Sequence, residues 1–192
     1  EKDGGMRTAV TDMRHLIGHM AVPYQQFFAH AEGKAVQIFE DTGEGYSQEH
    51  SWYLHDAYTA DDRIRAEISC RANTRGIRLD PAENPCLVRL EAVTFQDRKL
   101  TAEELARVVV TNGEVLGEGG SVLTPGTPGM TAVLFADHDP NINVRLDALE
   151  RGAEGNGEGL LVVELQILWL TPEMLGDLKA RITRRKRFWF QK

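Results

Sequence analysis

The sequence is poor in several features that would narrow its function. It has only two cysteines in 192 residues, Cys70 and Cys86, too far apart for a CxxC redox or zinc motif. Lys and Arg number 22 against 29 Asp and Glu, so the net charge is -7, which argues against a nucleic-acid-binding surface over the whole domain. The most apolar run, 159–170, is shorter than the roughly 20 residues of a membrane helix. The two cysteines are therefore predicted to be small buried residues, and no nucleic-acid partner is expected.

Motifs of catalysis are missing as well. The sequence contains no nucleophile elbow, P-loop or GxGxxG, and the Gly-rich stretch 117–120 carries an acid and no lysine. His15 and His19 are spaced i, i+4, but the HExxH glutamate is absent, so exposed helix histidines are the simpler interpretation. Carboxylates are common at turns, yet nothing singles out a catalytic pair. We expect no catalytic residue, no cofactor and no bound metal, with a structural calcium ion at the turns as the open alternative.

Apolar and polar residues alternate along most of the chain, which is typical of strands with one buried face. The alternation is clear at 36–38, 63–69, 142–148 and 161–169, and further strand candidates are 24–31, 51–58, 75–79, 86–96, 107–111 and 130–136. Turn signals separate these segments, and no regular βαβ pattern occurs. The sequence therefore predicts an all-β fold, an antiparallel jelly-roll-like β-sandwich, over residues 23–171.

Helical patterns flank the predicted sandwich. Residues 1–22 have heptad-like apolar spacing between Met6 and Met20, which predicts an N-terminal helix, either the end of a coiled coil or a short helix packed on the domain. Inside the sandwich, Thr101-Ala-Glu-Glu104 is a capping box that begins a short helix. Pro172 begins a basic C-terminal helix or linker over 172–192, with an apolar stripe formed by Met174, Leu175, Leu178 and Ile182.

Aromatic residues crowd into one loop and strand. They are Tyr46, Trp52, Tyr53 and Tyr58. Aromatic faces stack on the apolar faces of sugar rings, so these four are the candidate ligand-binding residues. The alternative is that some, such as Trp52, belong to the core and the others to ordinary surface.

Two Asp-Pro pairs mark turns, Asp80-Pro81 and Asp139-Pro140. Proline fixes its own backbone angle and pushes the preceding residue toward extended geometry. We predict that both turns are architectural, with each aspartate accepting hydrogen bonds from backbone N–H groups in its own loop.

Three stretches together resemble a known family. They are VQIFEDTGEGYS at 36–47, GIRLDPAENP at 76–85 and DHDPNI at 137–142. They are similar to an accessory β-sandwich domain attached to bacterial glycosyltransferases, including rhamnan-synthesis-type enzymes and other builders of cell-surface polysaccharide. The resemblance covers 34–171 and implies a non-catalytic module beside a glycosyltransferase domain, within a longer protein or alone. Such domains are often preceded by a coiled coil and followed by a basic helix, as the segments 6–20 and 179–192 would be here.

The resemblance and the aromatic cluster together predict a module that binds or positions a glycan near a glycosyltransferase catalytic domain. The first alternative is a structural, oligomerisation or docking module without a glycan site, and the second is a carbohydrate-active enzyme. A cytoplasmic location is expected, with the inner face of the cell membrane as an open alternative within it. There the basic, aromatic-ended tail would contact anionic lipid or, in the simpler interpretation, link to a further domain.

Overall fold

The computed structural model describes residues 35–59, 62–118, 121–124, 126–137, 139–149 and 158–189. The helix predicted at 1–22 and the strand predicted at 24–31 lie outside these ranges. The described part of the chain forms two antiparallel sheets. The first sheet contains β1 (Val36–Asp41), β2 (Ser51–Leu54), β4 (Gly76–Asp80), β7 (Val109–Thr111) and β10 (Ile142–Arg145) in the order β2-β1-β4-β10-β7.

The second sheet lies on the other side of the core. Its strands are β3 (Arg63–Cys70), β5 (Cys86–Phe95), β6 (Arg98–Lys99), β8 (Glu114–Leu116), β9 (Ala132–Phe135) and β11 (Gly159–Trp169). Their order is β3-β11-β5-β9-β8, and the short β6 forms a hairpin with β5. The long β11 is central, because it pairs with β3 on one side and with β5 on the other.

Side chains on one side of the long strands are buried in a shared core, as the alternation of apolar and polar residues predicts. In β3, for example, every second residue from Ile64 to Cys70 is buried and the residues between them are exposed. Val36 and Ile38 of the first sheet belong to the same core as Leu161 and Leu165 of the second. The all-β antiparallel sandwich is therefore confirmed, while its jelly-roll-like connectivity stays a prediction.

Both cysteines are buried in the core, as the sequence predicts. Burial raises the pKa of the Cys86 thiol to about 12, so this side chain stays a protonated, apolar part of the core at neutral pH.

Several segments differ from the sequence predictions. Residues Leu146–Ala148 form a 3-10 turn instead of continuing β10, and the amide of Asp147 donates to the carbonyl of Arg75. The strand predicted at 51–58 ends at Leu54. Strands β6 and β8 are not predicted, because two and three residues are too few to show a period of two; they are defined by pairing with β5 and β9.

The helices follow their sequence signals. In α1 (Ala102–Val108), the Thr101 hydroxyl accepts from the amide of Glu104, and the Glu104 carboxylate accepts from the amide of Thr101, so the capping box is confirmed. The C-terminal α2 (Pro172–Trp189) packs on the sandwich through buried Met174 and Ile182. Within the described part of the chain, no helix is long and apolar enough to cross a membrane.

Candidate functional site

The candidate site is the outer face of the first sheet, the side turned away from the core. Because Val36 and Ile38 point inward, their neighbours along β1 point outward, and the strand register extends this face across the sheet. The outward-facing positions are Gln37, Phe39 and Asp41 in β1, Ser51 and Tyr53 in β2, Gly76, Arg78 and Asp80 in β4, and Asn143 and Arg145 in β10.

Arg78 organises the centre of this face. Its Nε and Nη2 atoms donate to the two carboxylate oxygens of Asp80, each at 2.6 Å, and Nη2 also donates to Asp139 at 3.0 Å. Both Asp-Pro turns therefore meet on one guanidinium, whereas we expected their carboxylates to accept from backbone N–H groups in their own loops. The expectation fails because Arg78, two residues before Asp80 on the same face of β4, offers a two-pronged, charged donor set that also reaches Asp139.

An aromatic ring lies beneath the guanidinium. The Cζ atom of Arg78 is 4.9 Å from the centre of the Phe39 ring, which is within the range of a cation–π contact. Phe39 faces outward from β1, yet it is only 9% exposed. The 3-10 turn Gln48–His50 lies close to β1 because it directly precedes the paired strand β2. With the Arg78 guanidinium over its ring, Phe39 is shielded from solvent by the protein itself.

Tyr46 lies on the same face, beside Gly76. A Cβ atom at Gly76 would come within 2.6 Å of the Tyr46 hydroxyl oxygen, so the absence of a side chain makes room for the tyrosine. Burial raises the pKa of Tyr46 to about 12, with further raising by the charges of Asp41 and Asp147. At neutral pH the hydroxyl is therefore protonated and available as a hydrogen-bond donor.

Asp80 is the partly buried acid of the face. Burial raises the pKa of its carboxyl, and this effect exceeds the lowering by hydrogen bonds and charge from Arg78. The ion pair between Asp80 and Arg78 therefore lies in a partly desolvated position, where two hydrogen bonds hold the side chains together.

Tyr53 is the most exposed aromatic side chain of this face, at 53%. Its ring stacks near His55, with centroids 6.2 Å apart and an interplanar angle of 28°. Directly across the ladder from Tyr53 lies Gln37. The Gln37 amide donates to the Gln48 side-chain oxygen at 2.9 Å and to the Ser51 hydroxyl at 3.2 Å. An open aromatic ring therefore adjoins a cluster of amide and hydroxyl groups.

A group of asparagines flanks Arg78 on the opposite side. The Asn143 amide donates to the Asn141 side-chain oxygen at 3.1 Å, and the Asn141 backbone amide donates to Asn112 Oδ1 at 3.0 Å. The Asn112 amide in turn donates to the carbonyl of Asp139 at 2.9 Å. Sequence reasoning missed this group and Arg78. The alternation in 76–80 indicates that Arg78 faces away from the core, but nothing in the sequence indicates which strands lie beside it.

The structure separates the four aromatic residues that were expected to act together. Tyr46 and Tyr53 lie on the outer face. Trp52 pairs with the fully buried Ile38 and packs against the core, because neighbouring residues of a strand point to opposite sides. Tyr58 also packs against the core, and its hydroxyl donates to the carbonyl of Pro81 at 2.5 Å. A single four-residue aromatic surface is therefore not formed.

The outer face of the second sheet has a different character. It carries ion pairs within and between its strands. Arg65 of β3 pairs with Glu164 of β11 at 2.6 Å and with Glu67 of its own strand at 2.9 Å, and Arg63 of β3 reaches across β11 to Glu91 of β5 at 3.3 Å. Such exposed pairs satisfy each other and contribute little to stability. Across the described ranges, no group of three or more His, Cys, Asp or Glu side chains is arranged to hold a metal ion.

Comparison of the chain with protein-family models, with curated proteins and with solved structures finds no match.

Proposed function

We propose that this chain is a non-catalytic module that binds a glycan on the outer face of the first sheet. The observation that carries the proposal is the position of Tyr53, an exposed ring beside the amides of Gln37 and Gln48 and the hydroxyl of Ser51. A sugar ring has apolar C–H faces that stack on an aromatic ring and a rim of hydroxyls that exchange hydrogen bonds with amides. The Tyr53 surface offers both kinds of contact side by side.

The carboxylates of the same face support a binding role over catalysis. Sugar hydrolysis commonly uses two carboxyl groups on either side of the scissile bond, one of them free to give up a proton. Both oxygens of Asp80 already accept from Arg78, and Asp139 accepts from the same guanidinium. Arg78 therefore lies between the two acids and engages both of them.

The resemblance to glycosyltransferase accessory domains supplies the context of the proposal. In that context the glycan is a growing or acceptor chain, and the module holds it near a catalytic domain. Binding is expected to be weak, because an open sheet face leaves most polar contacts in water.

A glycan array with the full chain tests the proposal. The wild type is compared with Tyr53→Ala and with a matched control, Leu160→Ala, which truncates a 40% exposed side chain on the second sheet. We expect a subset of glycans to be bound by the wild type and by the control, and to be lost with Tyr53→Ala. Binding that persists at full strength in Tyr53→Ala would contradict the assignment of the site.

The C-terminal helix supports a second part of the proposal, contact with an anionic membrane. Helix α2 is fixed to the sandwich by Met174 and Ile182 and continues to Trp189 through the basic run 184–187. Basic residues near an anionic leaflet each contribute on the order of 1 kcal/mol, and Trp and Phe favour the interface. A module anchored in this way would be held close to a lipid-linked acceptor.

Vesicle co-sedimentation tests this contact. We expect pelleting with anionic but not neutral vesicles, lost at high salt and on deletion of 183–192. Equal pelleting with and without these residues would contradict membrane contact and leave the segment as a linker to a further domain.

A further inference from the structure

The charged groups of the outer face are already engaged within the protein. Arg78 donates to Asp80 and Asp139. Arg145 forms an ion pair with Asp147 at 3.5 Å. These two guanidiniums therefore each have a carboxylate partner.

The remaining acid of the face is occupied too. Asp41 accepts from the amides of Gly43 at 2.7 Å and Gly45 at 2.9 Å. A third guanidinium, that of Arg75, lies beside Gly43 at the end of the face. The face therefore has three guanidiniums and four carboxylates, which belong to Asp41, Asp80, Asp139 and Asp147. The loop after β1 adds two more acids, Glu44 and Glu49. The face therefore carries no surplus of positive charge.

From this balance we infer that the ligand is an uncharged oligosaccharide. The inference rests on the proposed function and adds the chemical class of the glycan. A uronate, sulfate or phosphate group on a sugar is normally recognised by a free arginine or lysine. At the centre of this face, such a group would meet carboxylates and would have to displace Asp80 from its two-pronged contact with Arg78. Repulsion between these carboxylates and an anionic sugar therefore disfavours binding.

The strand register indicates how an oligosaccharide would lie. Gln37 pairs with Tyr53 on one side and with Asp80 on the other, so the three side chains form a row across β2, β1 and β4. Neighbouring strands are about 4.8 Å apart, so a chain of sugars lying across the strands would meet one side chain of the row at each strand. Its first sugar would stack on Tyr53, and the next would reach the Gln37 amide.

Affinity electrophoresis with the full chain tests the inference. Native gels contain either a neutral polysaccharide (a glucan, a mannan or a galactan) or a polyuronate, and the migration of the protein is measured. The readout is the difference in retardation between the wild type and Tyr53→Ala. Because both proteins carry the basic tail, any retardation that the tail causes cancels in this difference. We expect Tyr53-dependent retardation by at least one neutral polysaccharide and, for the polyuronate, an effect more than about tenfold weaker.

Tyr53-dependent retardation by the polyuronate of equal size would overturn the neutral-ligand inference and leave glycan binding standing. Tyr53-dependent retardation by neither class would contradict the proposed function, and the inference with it.

A paired set of variants sharpens the test. The double variant Asp80→Asn/Asp139→Asn removes both charges that hold Arg78, and we expect it to gain Tyr53-dependent retardation by polyuronate. The matched control, Glu67→Gln/Glu164→Gln, removes two charges that hold Arg65 on the second sheet. A gain in the control equal to that in the first variant would show that overall charge, not the outer face, sets the selectivity, and would overturn the inference.

Discussion

Arg78 covers the ring of Phe39, with its Cζ atom 4.9 Å from the ring centre. Asp80, two residues further along the same strand, and Asp139, in a loop far away in the sequence, hold the guanidinium in this position. The contact divides the outer face into a covered centre at Arg78 and an open edge at Tyr53.

Replacing Arg78 with methionine keeps a similar apolar length over Phe39 but removes both hydrogen bonds that Arg78 donates to Asp80. Since the Asp80 side chain is only 12% exposed, its carboxylate would lose its charged partner in a partly desolvated place. We expect a loss of about 2 kcal/mol in the free energy of unfolding, measured with urea. Asp139→Asn is the control, because Asp139 is 66% exposed and its removal should cost less than about 1 kcal/mol. Equal losses for both variants would contradict the described division of roles.

Trp52 and Tyr53 are neighbours that should respond in opposite ways. Trp52→Ala removes a side chain packed against the core, and we expect a loss of about 2–3 kcal/mol in stability. Tyr53→Ala removes an exposed ring and should change stability by less than about 1 kcal/mol while abolishing glycan binding. Urea unfolding and the glycan array measure the two effects. If a folded Trp52→Ala chain lost glycan binding while Tyr53→Ala kept it, the assignment of Tyr53 to the glycan site and of Trp52 to the core would be wrong.

Gly76→Ala tests the contact with Tyr46. The added Cβ would meet the Tyr46 hydroxyl at 2.6 Å, and the side chain is free to swing away, so we expect Tyr46 to become more exposed. Its pKa should then fall from about 12 toward the usual 10.0, as followed by ultraviolet absorbance of tyrosinate. In the wild type the raised pKa stabilises the folded state below pH 10, and this contribution is lost as the pH rises through about 12. Tyr46→Phe, which removes the titrating group, is the control.

Glu104 gives a prediction at the acidic end of the pH range. Hydrogen bonds from Arg98 and from the backbone amide of Thr101 lower the pKa of this carboxyl from 4.5 to about 2. Its contribution to stability is therefore present above pH 4.5 and is lost as the pH falls toward 2. We expect the stability of Glu104→Gln to fall less steeply over this range than that of the wild type in thermal unfolding. Parallel curves would contradict the role of the capping box.

The sequence was informative wherever one residue and its neighbours along the chain decide the structure. Alternation located β3 and β11, and the capping box located α1, because these signals are local. The candidate site depends instead on register. Gln37 lies beside Tyr53, and Asp139 beside Arg78, only because of the way in which distant strands pair. Crowding of Tyr46, Trp52, Tyr53 and Tyr58 in the sequence suggested one surface, but strand alternation and the core divide them between two environments.

Chemical-shift mapping by NMR locates the glycan site on the chain. The full ¹⁵N-labelled chain is titrated with a neutral oligosaccharide chosen from the array. We predict that the largest amide shifts fall on Gln37, Tyr53 and their neighbours in β1, β2 and β4, and that β3 and β11 shift little. Shifts centred on the outer face of the second sheet, or saturable binding without any shift in β1 and β2, would contradict the account.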